Sequence, residues 1–155
     1  MNQALKAVAA FIVLLAVSFL LFQYINIEEQ IKKKNVLHEN LKLCCQEPLT
    51  GFYRDGFCHE GESDAGSHII CAIMTDEFLQ YSLQQGNDLI TAKTEGTFPG
   101  LKAGDKWCLD IQRWMEAENA GVAPPVILAS THVKTLSFVE LKLLEQYRFS
   151  TLEIE

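Results

Sequence analysis

The stretch from Leu43 to Gly61, LCCQEPLTGFYRDGFCHEG, holds three of the five cysteines of this 155-residue chain, together with three glycines and a proline. Residues 44–67 are dense in Gly, Pro, Asp and Ser, the residue types that favour turns over regular secondary structure. We therefore predict an irregular, turn-rich segment that packs over a domain core, with Phe52 and Phe57 as its buried anchors.

A polar pocket is the functional prediction for this segment. An irregular segment has few regular backbone partners, so its amide groups must be satisfied by side chains. Asp55 is short and charged enough to accept two such amides while it pairs with a guanidinium. The predicted pocket is formed by Arg54, Asp55, Cys58, His68 and His132. Beside a guanidinium and an imidazole, the pKa of the Cys58 thiol is expected to fall, which would make this thiol the most reactive of the five.

The five cysteines raise the question of a metal site, with the ligand set Cys44 or Cys45, Cys58, Cys71 and Cys108. Zinc sites usually contain close Cys-x-x-Cys pairs, because one tight turn aims two thiolates at one ion. No such pair occurs, so the spacing favours buried thiols over a metal site. The weaker alternative is a site that combines Cys58 with His59, His68, His132 or Cys108.

Disulfide formation depends on the compartment. In the cytoplasm thiols stay reduced, and an odd number of cysteines fits poorly with a complete disulfide framework. In an oxidising compartment the expected pair is Cys44 or Cys45 with Cys58. Such a bond closes a loop of about 14 residues and is worth about 3 kcal/mol in the chain-entropy model.

The common enzyme motifs are missing from the sequence. It contains no Gly-x-x-x-x-Gly-Lys loop, no Gly-x-Gly-x-x-Gly, no Gly-x-Ser-x-Gly and no His-Glu-x-x-His. Two classes of function stay open. The favoured one is a ligand-binding or interaction module, and the alternative is a small Cys/His-dependent enzyme, with or without a metal. No cofactor is indicated.

Outward from the segment, the sequence predicts an α+β domain with a small mixed sheet, three or so helices and long loops. The apolar run HIICAIM at 68–74 is typical of a buried strand. A helix should follow, with Thr75 as its N-cap, Gly86 as its terminator and an apolar face of Phe78, Leu79 and Leu83.

The second half of the domain continues this pattern. Trp107, Ile111, Trp114 and Met115 have helical spacing, and Gly121 ends it. The run VILAS at 126–130 predicts a second strand, and a final helix should open at Ser137 with a capping box completed by Glu140.

The N-terminus is different in kind. Ala7–Ile27 is 21 residues long without a charge, which is enough for a helix to cross a bilayer core of about 30 Å. A cleaved signal peptide is disfavoured by the bulky residues that end the run, and a soluble core helix by the small remainder of the chain. We therefore predict a transmembrane anchor with a charged juxtamembrane helix over residues 1–34, and one globular domain over residues 35–155.

The distribution of charged residues indicates which partners the domain has and on which side of a membrane it lies. Residues 35–155 carry 9 Lys or Arg and 18 Asp or Glu, a net charge of −9, which argues against a nucleic-acid partner. The membrane is the predicted partner of the N-terminal helix; a small-molecule ligand and a second copy of the chain are further candidates. Lys32, Lys33 and Lys34 follow the apolar run while Lys6 precedes it, so the positive-inside rule predicts a single-pass protein with a cytoplasmic domain.

Several stretches together resemble a known family: NVLHENLKLCCQEPLTGFYRDGFC, GSHIICAIMTDEFL, GNDL, FPGLKAGDKWCL and RWMEAENAGVAPPVILASTH. They are similar to the mainly bacterial domain of unknown function 2237, over residues 35–148. The resemblance implies that the domain begins near Asn35, and it implies no established activity. The chain departs from the usual pattern in its N-terminal membrane segment, in His38 at a usual glycine, and in Asp110 where many members have a second cysteine after Cys108.

Overall fold

The computed structural model describes residues 2–31, 33–93 and 98–150. The chain divides into two compact units, residues 1–32 and residues 33–155. Within the described ranges, four α-helices and one antiparallel strand pair confirm the predicted α+β class.

The first unit is a single helix, α1, which spans Gln3–Ile31. Its part Val8–Ile27 is long and apolar enough to cross a membrane, and none of it is buried within the protein. Phe11 and Leu20 are 62% and 65% exposed. The apolar run thus forms one helix of suitable length. Lys32, one of the three lysines used to predict orientation, lies outside the described residues.

The second unit is built on a short antiparallel sheet. Strand β1 spans Ile70–Ile73 and strand β2 spans Lys106–Leu109, with Cys71 directly opposite Cys108. The strand predicted at 68–74 is confirmed, whereas β2 was assigned to a helix because Trp107 lies in helical register with the residues that follow it. A four-residue strand is too short for its own periodicity to show.

Helix α2 spans Asp76–Gln84, directly after β1. The hydroxyl of Thr75 accepts a hydrogen bond from the Phe78 N–H at 3.1 Å, which confirms the predicted N-cap. Phe78 and Leu79 are buried, but Leu83 is 41% exposed, so its place in the apolar face was predicted wrongly. Gly86 follows the helix in the left-handed conformation, with φ of +80°.

Helix α3 spans Ile111–Asn119, directly after β2. The Asp110 carboxylate caps it by accepting a hydrogen bond from the Gln112 N–H at 2.7 Å. Trp114 is fully buried in the core, and its indole N–H donates to the Pro124 carbonyl at 3.1 Å. Ile111, Trp114 and Met115 of the predicted helical pattern therefore lie in α3, whereas Trp107 precedes the helix and lies in β2.

The C-terminal part contains two 3₁₀ turns, Leu128–Ser130 and Val133–Ser137, and then helix α4, Leu141–Gln146. The strand predicted at 126–130 is wrong, since only Val126 pairs with β1, opposite Ala72, before the chain turns. The capping box predicted at Ser137 is also wrong. Glu140 occupies the N-cap position of α4 itself, and Ser137 ends the preceding 3₁₀ turn.

Candidate functional site

Two disulfide bonds attach the 43–61 segment to the sheet. Cys44 is bonded to Cys71 on β1, and Cys58 is bonded to Cys108 on β2. Because Cys71 and Cys108 face each other across the strand pair, the four sulfur atoms form one buried cluster. We call this set of four residues the cysteine cluster.

This pairing corrects two predictions about the thiols. The expected bond between Cys44 or Cys45 and Cys58 does not form, because β1 and β2 supply the partners. Cys58 is bonded and fully buried, so it is not a reactive thiol. Among the described residues Cys45 is the free cysteine, half-buried, and its thiol donates to the Glu47 carbonyl at 3.2 Å.

Glycine allows the 43–61 segment to fold back on itself. Gly51 has φ of +91°, and a Cβ there would lie 2.3 Å from the Phe57 carbonyl oxygen. The Gly56 carbonyl accepts hydrogen bonds from the N–H groups of Cys44 and Cys45, at 2.8 and 3.3 Å. The segment is thus a structured, turn-rich element.

The predicted anchors of this element are wrong. Phe52 is 37% exposed and Phe57 is only half-buried. The buried contacts come instead from the cysteines and from Thr50, whose hydroxyl accepts a hydrogen bond from the Cys108 N–H at 2.8 Å. The two disulfides and the buried Thr50 therefore attach the segment to the domain, which is the role that was predicted for Phe52 and Phe57.

Asp55 is engaged locally. Its carboxylate accepts a hydrogen bond from the Phe57 N–H at 3.1 Å and lies 2.6 Å from the His59 ring nitrogen Nε2. Partial burial acts to raise the pKa of Asp55, but the hydrogen bonds from His59 and Phe57 outweigh it and hold that pKa below its ordinary value. The guanidinium predicted as the partner of Asp55 is therefore wrong, because the imidazole of His59 takes that place; backbone amides bind the carboxylate as predicted.

Arg54 lies on the surface of the same turn. Its backbone has φ of +54°, a left-handed conformation that is costly for a residue with a Cβ. Its guanidinium stacks over the indole of Trp107, 4.8 Å from the ring centroid, and one N–H donates to the Gly51 carbonyl at 3.4 Å. Within the described part of the chain, no carboxylate forms a salt bridge with it.

His68 borders the same surface, just before β1. Its ring nitrogen Nδ1 lies 2.6 Å from an oxygen of Asp64, and its backbone N–H donates to the other Asp64 oxygen at 2.8 Å. The Asp64 side chain is only 1% exposed. This buried carboxylate fixes the imidazole and leaves Nε2 as the ring nitrogen available to a ligand.

Arg54 and His68 line one depression of about 280 Å³, which we call the Arg54 depression. Its remaining walls are Gly51, Phe52, Trp107 and Cys108. Arg54 also borders a wider, open groove of about 900 Å³. Charged side chains of both signs line that groove: Arg54, Lys102, Glu47 and Asp105.

The structure therefore brings together two of the five residues predicted for the pocket, Arg54 and His68. Asp55 is turned to His59, and Cys58 is locked in the cysteine cluster. His132 is 2% exposed, and its Nδ1 accepts a hydrogen bond from the Lys134 N–H at 3.2 Å, so it lines neither the depression nor the groove.

Sequence reasoning missed two residues of this site, Trp107 and Asp64. The signal for Asp64 was its position four residues before His68 in a turn-rich stretch, a spacing at which a carboxylate reaches an imidazole. Trp107 gave no such signal, because its contact with Arg54 spans 53 positions of the chain.

Comparison with known protein families finds a match that covers most of the chain. The model of the family described as "Uncharacterized protein conserved in bacteria (DUF2237)" matches residues 34–148. No curated protein matches the chain. His38 has φ of +61°, a backbone conformation that glycine adopts without strain, in keeping with the glycine that the resemblance implies at this position.

Proposed function

The chain belongs to the DUF2237 family, and on that premise we propose that it is a membrane-anchored binding module whose Arg54 depression receives the anionic group of a small molecule. The observation that carries the proposal is the exposed guanidinium of Arg54, stacked on Trp107 beside His68 and without a carboxylate partner in the described residues.

The stacking prepares Arg54 for an anion. A free arginine side chain loses rotamer freedom of about 2 kcal/mol when it is fixed by a ligand. Contact with the Trp107 face and the hydrogen bond to Gly51 restrict this side chain in advance. The planar guanidinium can then offer two parallel N–H donors to a carboxylate or phosphate.

The left-handed backbone at Arg54 supports the same proposal. Such strain costs of order 1–3 kcal/mol and is found most often where a side chain must be aimed at a ligand. Here the turn closed by Gly51 and Gly56 maintains it. A role confined to packing would not need this conformation, because Arg54 is exposed.

His68 supplies a second polar group to the lining of the same depression. The buried Asp64 carboxylate holds its ring in one orientation, as a supporting residue does for a ligand-contacting histidine. A volume of about 280 Å³ suits an anionic group with a small attached body, and the wider groove beyond Arg54 could hold the rest of a larger molecule.

Anchoring completes the proposal. The helix α1 carries an apolar stretch, Val8–Ile27, that none of the described residues buries. A bilayer would cover it and would keep the binding domain at the membrane surface.

Trp107 gives the test its signal, since an anion that engages Arg54 changes the environment of the indole. Full-length protein in detergent is titrated with inorganic phosphate and, separately, with succinate while tryptophan fluorescence is recorded. Saturable binding of one probe identifies the anion class. Arg54→Gln should weaken this binding at least about 10-fold, because a charge-assisted hydrogen bond is worth about 1.5–3 kcal/mol.

Two further variants keep the result specific. Arg54→Lys retains the charge but not the planar fork and should recover only part of the affinity. Arg148→Gln removes an exposed arginine that lines neither the Arg54 depression nor the wide groove and should leave binding unchanged. Absence of saturable binding of both probes, or equal losses in Arg54→Gln and Arg148→Gln, would refute the proposal.

A further inference from the structure

We propose that the cysteine cluster is also a metal site: in the reduced chain Cys44, Cys58, Cys71 and Cys108 bind one zinc-like divalent cation as four thiolates. The proposed site shares Cys108 with the lining of the Arg54 depression but requires no ligand bound there.

The sulfur atoms already converge. The Sγ atoms of Cys44, Cys58 and Cys108 lie within 4.8 Å of one another, and the fourth, that of Cys71, is bonded to that of Cys44. In a tetrahedral site with Zn–S bonds of about 2.3 Å, sulfur atoms are about 3.8 Å apart. Once a disulfide is reduced, its two sulfurs can move apart toward that spacing by rotation about χ1.

The backbone presents these residues without help from the disulfides. Cys71 and Cys108 are opposite each other in the strand pair, where side chains on one face are close neighbours. Their N–H groups donate to the hydroxyls of Thr131 and Thr50, at 3.1 and 2.8 Å. These bonds do not involve sulfur, so reduction leaves both cysteines in position.

The other two cysteines are held in the same way. The Cys44 N–H donates to the Gly56 carbonyl at 2.8 Å, and Cys58 forms a parallel bridge with Thr131. Hydrogen bonds and bridges of the main chain therefore position all four ligands. The ligands come from three separate parts of the chain: the 43–61 segment, β1 and β2. This is why no Cys-x-x-Cys spacing announces the site.

The surroundings suit a structural ion. The four cysteines are at most 5% exposed, and Ile127 packs against them. Four thiolates form a closed tetrahedral set with no position left for water or substrate, as in structural zinc sites. Cys45, the neighbour of Cys44, is turned to the Glu47 carbonyl and does not belong to the set.

Reduction of the two disulfides precedes metal binding. Two molecules of a dithiol reductant each give two electrons and two protons to one disulfide and become disulfides themselves, which leaves four thiols. Binding of the cation then forms four metal–sulfur bonds and releases the four thiol protons to solvent. In a reducing compartment, which the lysines after α1 predict for the domain, this state replaces the two disulfides.

Cobalt titration tests the proposal with a readout that does not depend on activity. Full-length protein in detergent is reduced with a phosphine, freed of reductant without oxygen, and titrated with Co²⁺. One Co²⁺ per chain should bind with the intense visible bands and near-ultraviolet charge transfer of tetrahedral tetrathiolate cobalt. Zn²⁺ should then displace it, because Zn²⁺ binds such sites more tightly.

Adjacent cysteines provide a matched pair of variants. Cys44→Ala removes one ligand and should weaken binding at least about 100-fold with a changed spectrum, whereas Cys45→Ala should leave both unchanged. Cys108→Ala, on a different element, should behave like Cys44→Ala.

Circular dichroism of the same samples shows whether the reduced chain is folded. A reduced chain that keeps its fold and binds no Co²⁺ would overturn the proposal. So would a reduced chain that unfolds and is not refolded by Zn²⁺, because the proposed ion must replace the disulfides as a staple. Equal effects of Cys44→Ala and Cys45→Ala would overturn it as well.

Discussion

Phenylalanines of two helices have opposite surroundings in this protein. Phe11 of α1 is 62% exposed, whereas Phe78 of α2 is 1% exposed. Helix α1 is the more apolar of the two, yet nothing in the described protein covers its span. Helix α2 alternates polar and apolar residues so that one face meets the sheet and α3. Apolar content therefore does not create a core; a helix must restrict it to one face and meet a matching surface.

The largest expected effect is on the partition of the protein between membrane and water, which α1 should determine. Full-length protein should remain in the membrane pellet after alkaline carbonate washing, whereas a chain that begins at Asn35 should stay in the supernatant. The reason is that each central Val, Ile, Leu or Phe favours insertion by about 0.3–0.6 kcal/mol, and the span has no charge to oppose them. Release of the intact full-length chain, or a mature N-terminus near residue 27, would contradict the anchor.

A matched pair of substitutions sharpens the comparison between the two helices. Phe78→Ala should lower the free energy of unfolding of the domain by about 3–5 kcal/mol, because it leaves a cavity in the core. Phe11→Ala should change it by less than about 0.5 kcal/mol. Urea unfolding of the full-length protein in detergent, followed by tryptophan fluorescence, measures both. Similar values for the two variants would show that α1 is part of the domain core.

The disulfides should contribute effects of comparable or slightly smaller size. Cys58 and Cys108 are 50 residues apart and Cys44 and Cys71 are 27 apart. In the chain-entropy model their removal costs about 4 and about 3.5 kcal/mol respectively. The double variants Cys58→Ala/Cys108→Ala and Cys44→Ala/Cys71→Ala, unfolded under oxidising conditions, test this order. A stability equal to that of the wild type in either variant would remove the staple role from that bond.

The smallest expected effect concerns the interaction of Asp55 with His59 on the polar surface of the domain. The span of α1 has no polar surface of this kind. The pKa of Asp55 is lowered in the folded state, so its carboxylate stabilises the fold above the ordinary Asp pKa of about 3.9. That stabilisation is lost as the pH falls through the lowered value. Because the pair is exposed, with side chains 28% and 43% accessible, the effect should stay below about 1 kcal/mol.

Asp55→Asn tests this pH dependence. Its stability deficit relative to the wild type should be present at pH values above the ordinary Asp pKa and should vanish in acid, as followed by thermal unfolding across the acid range. Glu145→Gln, on the exposed side of α4, serves as the control and should show no such convergence. A deficit that grows as the pH falls would have the wrong sign and would exclude the Asp55–His59 interaction as its source.

Sequence reasoning identified the elements whose signals are local. The N-cap at Thr75, the strand at 70–73 and the apolar helix all follow from neighbouring residues in the chain. It failed at β2, because a four-residue strand that runs directly into a helix shows the helix period throughout. It also failed at Ser137, where a serine three residues before a glutamate matches a capping box although the chain forms a 3₁₀ turn.

The candidate site shows the same division. Arg54 was named because it lies beside Asp55 in the turn-rich segment, and His68 because it lies at the start of a predicted strand; the structure places both at one depression. Cys58 was misjudged, since the choice of disulfide partner depends on which strands lie under the segment. Trp107 could not be found at all, because stacking against Arg54 is a contact between distant positions.

The sequence by itself determined what short-range physics controls: an uncharged helix long enough for a bilayer, a turn-rich segment rich in cysteine, a negatively charged α+β domain and its family. Only the tertiary structure decided the partners. The antiparallel register sets Cys71 opposite Cys108, and this places four sulfurs in one cluster and Trp107 beneath Arg54. The physical reason is that pairing across 27, 50 or 53 residues depends on how strands and loops close on one another, and no local pattern of residues encodes that closure.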